Sequence, residues 1–307
     1  MSKEELAKNP LLCDPQTGAC EVPGDSAHGS VMLTDKTQDK AIKIIYFTDP
    51  ICSSCWGIEP QLRKLKLEYG AYFEIEYRMG GLLPDWSYNS GGISKPSDVA
   101  HHWDEVSGYY DMPIDGDVWL EDPLPSSYPP SIAYKAAQMQ DSEKAFWFMR
   151  EIREMVFLQK KNITKWEHLA AAAKKVGLDS EQLRVDCENE AQNRFKEDLL
   201  LGQQMRVRGF PTLFFSNDQG QQQIVYGSKP YSAYEKALSD LQPDVEKLPY
   251  LKDWKSLFQK YPSLTAREYA ELSETPRDKA EAFLNQLVEA GKLERLTIKN
   301  GSIWYLK

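Results

Sequence analysis

FTDPICSSCWGIEP, Phe47 to Pro60, sets Cys52 and Cys55 three positions apart in a chain that has five cysteines. Before it runs IKIIYF, Ile42 to Phe47, β-branched and aromatic, which reads as a strand. After it, Ile58, Leu62, Leu65 and Tyr69 recur at helical spacing as one apolar stripe. Pro60 falls inside that helix, where it has no N–H to donate to the carbonyl of Trp56, so a kink is expected. Gly70 ends the helix, and FEIEYRM, Phe73 to Met79, alternates as a second strand.

Cysteines at this spacing suit half of a zinc site, or a dithiol that opens and closes as a disulfide. The bland alternative is a pair of small buried residues. Zinc needs two further ligands, yet there is no second C-x-x-C, and His28, His101, His102 and His168 form no pair at ligand spacing. The dithiol is the preferred reading, with no metal and no cofactor expected. A strand ending at Asp49-Pro50 and a helix starting near Cys52 place the first thiol at a helix N-terminus. Unpaired N–H groups and the macrodipole favour negative charge there. Such settings lower a cysteine from about 8.5 to roughly 3.5–7.5. Cys52 is then the expected exposed nucleophile, and Cys55, one turn inward, the resolving thiol that releases a mixed disulfide. Trp56 and Gly57 pack the helix over the sheet, and Trp56 is also counted among the substrate-binding residues.

A second signal is Arg208-Gly209-Phe210-Pro211-Thr212. A proline at the mouth of a strand can simply begin an edge strand. In the fold argued below it faces the cysteines instead. A cis peptide at Phe210–Pro211 would turn the backbone groups of Phe210 outward, to pair with an extended substrate. Phe210 and Pro211 are therefore expected to bind substrate.

The rest of the chain supplies the architecture. Residues 1–40 show no apolar periodicity and read as a flexible N-terminal arm, poorly ordered unless it docks. From about 80 to 125 the chain reads as irregular. Helices follow: SYPPSIAYKAAQMQ with prolines suited to a first turn, EKAFWFMREIREMVFLQK, and TKWEHLAAAAKKVG with Thr164 and Glu167 at capping-box spacing. DSEQLRVDCENEAQNRFKEDLLLGQQM is read as one helix running to about residue 205. PTLFFS and QIVYG are strands across NDQG, and Tyr231 to Leu241 is a further helix. Strand, helix, strand, helical block, strand, strand, helix is a thioredoxin-like α/β scheme over 41–242, with an inserted all-helical subdomain at about 94–205. PDVEKLP, 243–249, reads as a linker. Over 250–307, Thr265 and Glu268 make a capping box, and Thr275 is expected to cap a longer helix with Pro276 at its first position. Two strands then join through Asn300-Gly301. That order describes a small winged-helix-like module.

DPICSSCWGIEP, SYPPSIAYKAAQMQ and RVRGFPTLFF resemble the DsbA-like thioredoxin superfamily, specifically its cytoplasmic FrnE-type branch, over about 42–242. With the C-terminal module added, the whole chain is similar to the YjbH/SpxH adaptor family, which presents the regulator Spx to the ClpXP protease. The resemblance implies a thioredoxin fold, a nucleophile at Cys52, a resolving thiol at Cys55 and a cis-proline at Pro211. Ser53-Ser54 departs from the strongest oxidants of the superfamily, which place a histidine between the cysteines. A related kappa-type branch of glutathione-dependent isomerases is disfavoured, because it keeps a serine at the nucleophile position.

Weaker signals remain. Cys13 and Cys20 flank the turn-prone DPQTG and form a candidate secondary redox pair, a shuttle disulfide exchanging with Cys52; a metal role and an uncommitted tail stay open. Cys187 reads as an ordinary helix residue, and His101-His102 as a solvated loop pair. GGLLPDW, Trp103, Tyr109, Tyr110 and Trp119 read mainly as packing, with an apolar wall near Cys52 as the minor alternative.

A net charge of −9, with acids spread along the chain, argues against wholesale nucleic-acid binding. PRDKAEAFLNQLVEAGK carries acids and no basic stripe, so protein contact or internal docking is preferred over DNA. No apolar run reaches the roughly 20 residues that span a bilayer, so no membrane partner is expected. MSKEELAKNPLLCDPQ lacks the pattern of a signal peptide, and a cytoplasmic location is expected. Structural disulfides are rare there, which favours a redox or metal reading of paired cysteines. The leading expectation is a protein-disulfide oxidoreductase or isomerase acting on protein or peptide thiols. The alternative is a non-catalytic adaptor that binds a regulator and delivers it to a ClpXP-type protease.

Overall fold

The computed structural model describes residues 13–14, 17–21, 40–88 and 95–307. Two short strands, β1 (Cys13–Asp14) and β2 (Ala19–Glu21), precede β3 (Ile42–Thr48), α1 (Ser53–Gly57), α2 (Glu59–Tyr69) and β4 (Phe73–Met79). A helical block follows: α3 (Pro96–Tyr110), α4 (Val118–Glu121), α5 (Tyr128–Gln140), α6 (Ser142–Leu158), α7 (Trp166–Lys175), α8 (Ser180–Glu188) and α9 (Glu190–Gln204). The chain returns through β5 (Gly209–Phe210), β6 (Thr212–Asn217), β7 (Gln222–Tyr226) and α10 (Tyr231–Leu241).

The central sheet has the order β4-β3-β6-β7, with β3 parallel to β4 and the other pairs antiparallel. Strands β3 and β6 lie inside it, and β3 is close to fully buried from Ile44 to Phe47. That is why residues 44–47, IIYF, are a continuous apolar run rather than an alternating one, with Lys43 ahead of them paired to Glu76. This is a thioredoxin-like α/β fold with helices inserted between β4 and β5.

Several local readings change. Pro60 does not merely kink one helix. The chain breaks at Ile58 (φ −98°, ψ 2°), and a second helix begins with Pro60 in its first turn. The segment from 80 to 125 holds a 15-residue helix, α3, whose Val99, Trp103, Val106 and Tyr110 are buried at helical spacing. His101 and His102 sit on that helix rather than in a loop; His101 is exposed and His102 buried. The long helix read across 179–205 is broken at Asn189 (φ −127°, ψ −109°) into α8 and α9. Lys165, not Thr164, holds the N-cap of α7, and the Thr164 hydroxyl donates to Asn162 Oδ1 at 2.6 Å.

The C-terminal segment forms α11 (Trp254–Lys260), β8 (Ser263–Thr265), α12 (Ala266–Ser273), α13 (Arg277–Glu289), β9 (Leu293–Ile298) and β10 (Gly301–Leu306). Its sheet has the order β8-β10-β9, and β8 had no signal in the sequence reading. The capping box of α12 is complete: Glu268 N donates to Thr265 Oγ1 at 3.2 Å, and Thr265 N donates to Glu268 Oε2 at 2.8 Å. Pro276 rather than Thr275 holds the N-cap position of α13.

Buried ions join this segment to the thioredoxin-like part. Arg150 on α6 pairs with Glu268, and Arg63 Nη1 on α2 donates to the carbonyl of Ser263 at 2.9 Å. Arg153, also on α6, reaches Glu59 Oε1 at 2.6 Å, Thr48 Oγ1 at 2.6 Å and the carbonyl of Asp49 at 3.3 Å. The same helix thus braces both the C-terminal segment and the end of β3, where the cysteines follow.

Candidate functional site

Asp49 organises the turn from β3 into α1. Its Oδ1 accepts from Ile51 N at 3.0 Å, and its Oδ2 from Leu82 N and Ser127 Oγ, both at 2.8 Å. Burial pushes this carboxyl up to about 6, against those hydrogen bonds and the Arg153 charge. Cys52 then takes the N-cap of α1, and its sulfur accepts from Cys55 N at 3.1 Å.

The expectation of an exposed, acidified Cys52 is not met. Cys52 and Cys55 are both fully buried. Burial pushes the Cys52 thiol well above its ordinary value, and the neighbouring Cys55 adds to this. Burial also opposes ionisation of Cys55. There the hydrogen bond from Cys52, the Arg153 charge and the hydroxyls of Thr48 and Tyr46 outweigh it and hold the thiol below its usual range. The helix terminus is present, but desolvation of a sealed sulfur is the larger effect at Cys52.

The cover comes from the chain's own N-terminal arm, part of which is docked rather than loose. β2 runs antiparallel to β5, with Cys20 opposite Phe210 and Glu21 opposite Gly209. The Phe210–Pro211 peptide is cis. The turn before β2 is seated by Ser228 N, which donates to the carbonyl of Gly18 at 2.7 Å. Close approach is the reason for glycine at 227, where a Cβ would stand 2.0 Å from the carbonyl oxygen of Thr17. Cys20 is fully buried and disulfide-bonded, and Cys13 lies directly opposite it in the β1–β2 ladder. The sulfur of Cys20 is 3.4 Å from that of Cys52 and 3.4 Å from Ser54 Oγ. Ser54 Oγ in turn lies 2.6 Å from the hydroxyl of Tyr110.

The other residues singled out by sequence fall into place around this arrangement. Phe210 offers its backbone to β2, while its ring is buried against Gly80. Trp56 is sealed in the packing and does not line the groove: Nε1 donates to the carbonyl of Pro113 at 3.1 Å, and the ring stacks on Phe157 with centroids 5.5 Å apart. Trp103 and Trp119 continue that buried aromatic chain, whereas Tyr110 touches the site through Ser54. Cys187 sits apart on α8, where burial and the carboxylates of Asp186 and Glu188 push its thiol up to about 12. Among the described residues no cluster of three or more His, Cys, Asp or Glu side chains is placed to hold a metal ion; His28 lies outside them. Sequence reasoning missed Ser54, Asp49 and Arg153, and held Tyr110 near Cys52 only as its minor alternative. Only Asp49, in the Asp-Pro that ends the strand, gave a local signal.

A family model described as Thioredoxin matches residues 46–236. The cytosolic disulfide reductase DsbM from Pseudomonas aeruginosa superposes with a TM-score of 0.53, covering 64% of this chain and 98% of that one at 20% identity. At that identity the likeness shows the fold alone. The ClpXP adapter protein SpxH of Halalkalibacterium halodurans is 35% identical over 312 residues, 97% of each chain. The ClpXP adapter protein SpxH of Shouchella clausii is 32% identical over 95% of each. These relatives overturn the expectation of a protein-disulfide oxidoreductase: their names are those of adapters, not of enzymes. With 35% identity across 97% of both chains added to a thioredoxin-like architecture, the chain belongs to the SpxH family.

Proposed function

We propose that the chain is an adaptor that binds a regulator and delivers it to a ClpXP-type protease in the cytoplasm. The observation that carries this reading is the 35% identity to a ClpXP adapter protein across 97% of the chain. The buried state of Cys52 supports it, because a sealed sulfur is poorly suited to turnover on other proteins. The family resemblance points to an Spx-type regulator as client. Residues 250–307, read as a winged-helix-like module, are held to the thioredoxin-like part by the buried ion network and offer a second surface on one rigid body.

An adaptor works by raising the effective concentration of client at the protease, without changing the chemistry of peptide cleavage. Reconstituted degradation of an Spx-type regulator by ClpXP, with and without this chain, is the test. The expected result is a fall in client KM by about tenfold or more, with kcat at saturating client unchanged. No change in KM would overturn the reading.

A further inference from the structure

We propose that the N-terminal arm is a built-in redox partner of Cys52, which attacks Cys20 and draws the arm's disulfide into the Cys52–Cys55 pair. Three observations converge. β2 occupies the free edge of β5 beside Pro211, the place an extended ligand takes by strand addition. The Cys20 and Cys52 sulfurs are 3.4 Å apart, within the roughly 3–3.5 Å of a near-attack arrangement. The arm is also seated independently of any sulfur chemistry, through the Ser228-to-Gly18 hydrogen bond and the close approach of Thr17 to Gly227.

The exchange balances without an outside reagent. Cys52 Sγ, giving up its proton as it attacks, bonds to Cys20 Sγ and breaks the arm disulfide, releasing the sulfur of its opposite number, Cys13, which takes up that proton. Cys55 then attacks Cys52, closes the Cys52–Cys55 bond and releases Cys20 as a thiol. Two electrons move from the buried dithiol to the arm, and every step reverses. The groove beside Pro211 therefore has a committed occupant, the cysteine-bearing strand 19–21, whose cross-link to β1 depends on where the disulfide resides. The consequence is a redox-sensitive arm, not turnover on other proteins.

The test uses the full chain, isolated without reductant, quenched in acid, alkylated and mapped by mass spectrometry. Cys55→Ser blocks the second step, so the expected principal linkage is Cys20–Cys52, with Cys13 alkylated. Cys55→Ala gives the same readout should the serine variant fail to fold. Adding Gly18→Val strains a residue at φ +67° and drives a Cβ to 2.7 Å from Ser228, so it should slow formation of that linkage by about tenfold or more. Folded Cys55 variants that keep the arm disulfide intact and show no Cys20–Cys52 peptide would overturn the proposal. So would a linkage whose yield rises with protein concentration, which marks exchange between chains. The readout needs neither client nor protease, so its failure leaves the adaptor reading standing.

Discussion

Arg150 and Glu268 face each other as a two-pronged pair, Nη1 to Oε1 at 2.8 Å and Nη2 to Oε2 at 3.0 Å, with Glu268 fully buried. Arg63 Nε lies 3.3 Å from the same Oε1. Burial raises this carboxyl, but the two guanidinium groups outweigh it and hold it below the ordinary carboxylate range. Removing one member of a buried pair leaves an uncompensated charge and costs about 3–5 kcal/mol. Glu268→Gln keeps the shape and removes the charge. It is expected to lower the unfolding free energy by that amount in urea titration, and a loss below about 1 kcal/mol would contradict the account.

Gly57 lets α1 lie directly on α3. A Cβ at this position would stand 2.5 Å from the ring of Tyr110. Gly57→Ala gains up to about 1 kcal/mol of helix propensity. Overpacking a filled contact costs about 1–3 kcal/mol, so the net effect is a loss. In a Tyr110→Ala background the loss should shrink or reverse, giving a favourable coupling in the double-mutant cycle.

His102 gives a pH-dependent prediction. Burial, with the charge of His101 secondary, lowers its pKa from 6.5 to about 4. Between these values the unfolded chain binds the extra proton and the folded chain does not, so stability rises with pH across the window and is lost as pH falls through it. Asp49, raised from 3.8 to about 6, acts with the opposite slope over nearly the same range. The test is therefore a difference. The stability of the natural chain minus that of His102→Gln should grow by up to about 3 kcal/mol from pH 4 to pH 7. A flat difference would show that His102 titrates alike in the folded and unfolded chain, and would sink the account.

What could be read from the sequence was local. Cys52-Ser53-Ser54-Cys55 after an apolar strand, Phe210-Pro211 before another and Thr265 with Glu268 each carry their structure within a few residues. α3 was missed because glycines and prolines surround it, although Val99, Trp103, Val106 and Tyr110 kept the helical period. The charges of α6 gave no signal for another reason. Arg150, Arg153 and Glu154 are buried because their partners come from α2, β8 and α12, far off in the sequence. The arm was the deepest gap. Backbone pairing of β2 with β5 joins residues nearly two hundred positions apart and leaves almost no trace in side-chain pattern, beyond the spacing of Cys13 and Cys20 around a turn.

The carboxylate that starts α12 is the one that grips α6. The last sixty residues therefore cannot peel away and keep their own first turn intact, because both losses fall on a single side chain. Heating should show one calorimetric peak for the whole body rather than a shoulder for its tail. Whatever is held at one end of the molecule is thus presented at a fixed angle to whatever grips the other.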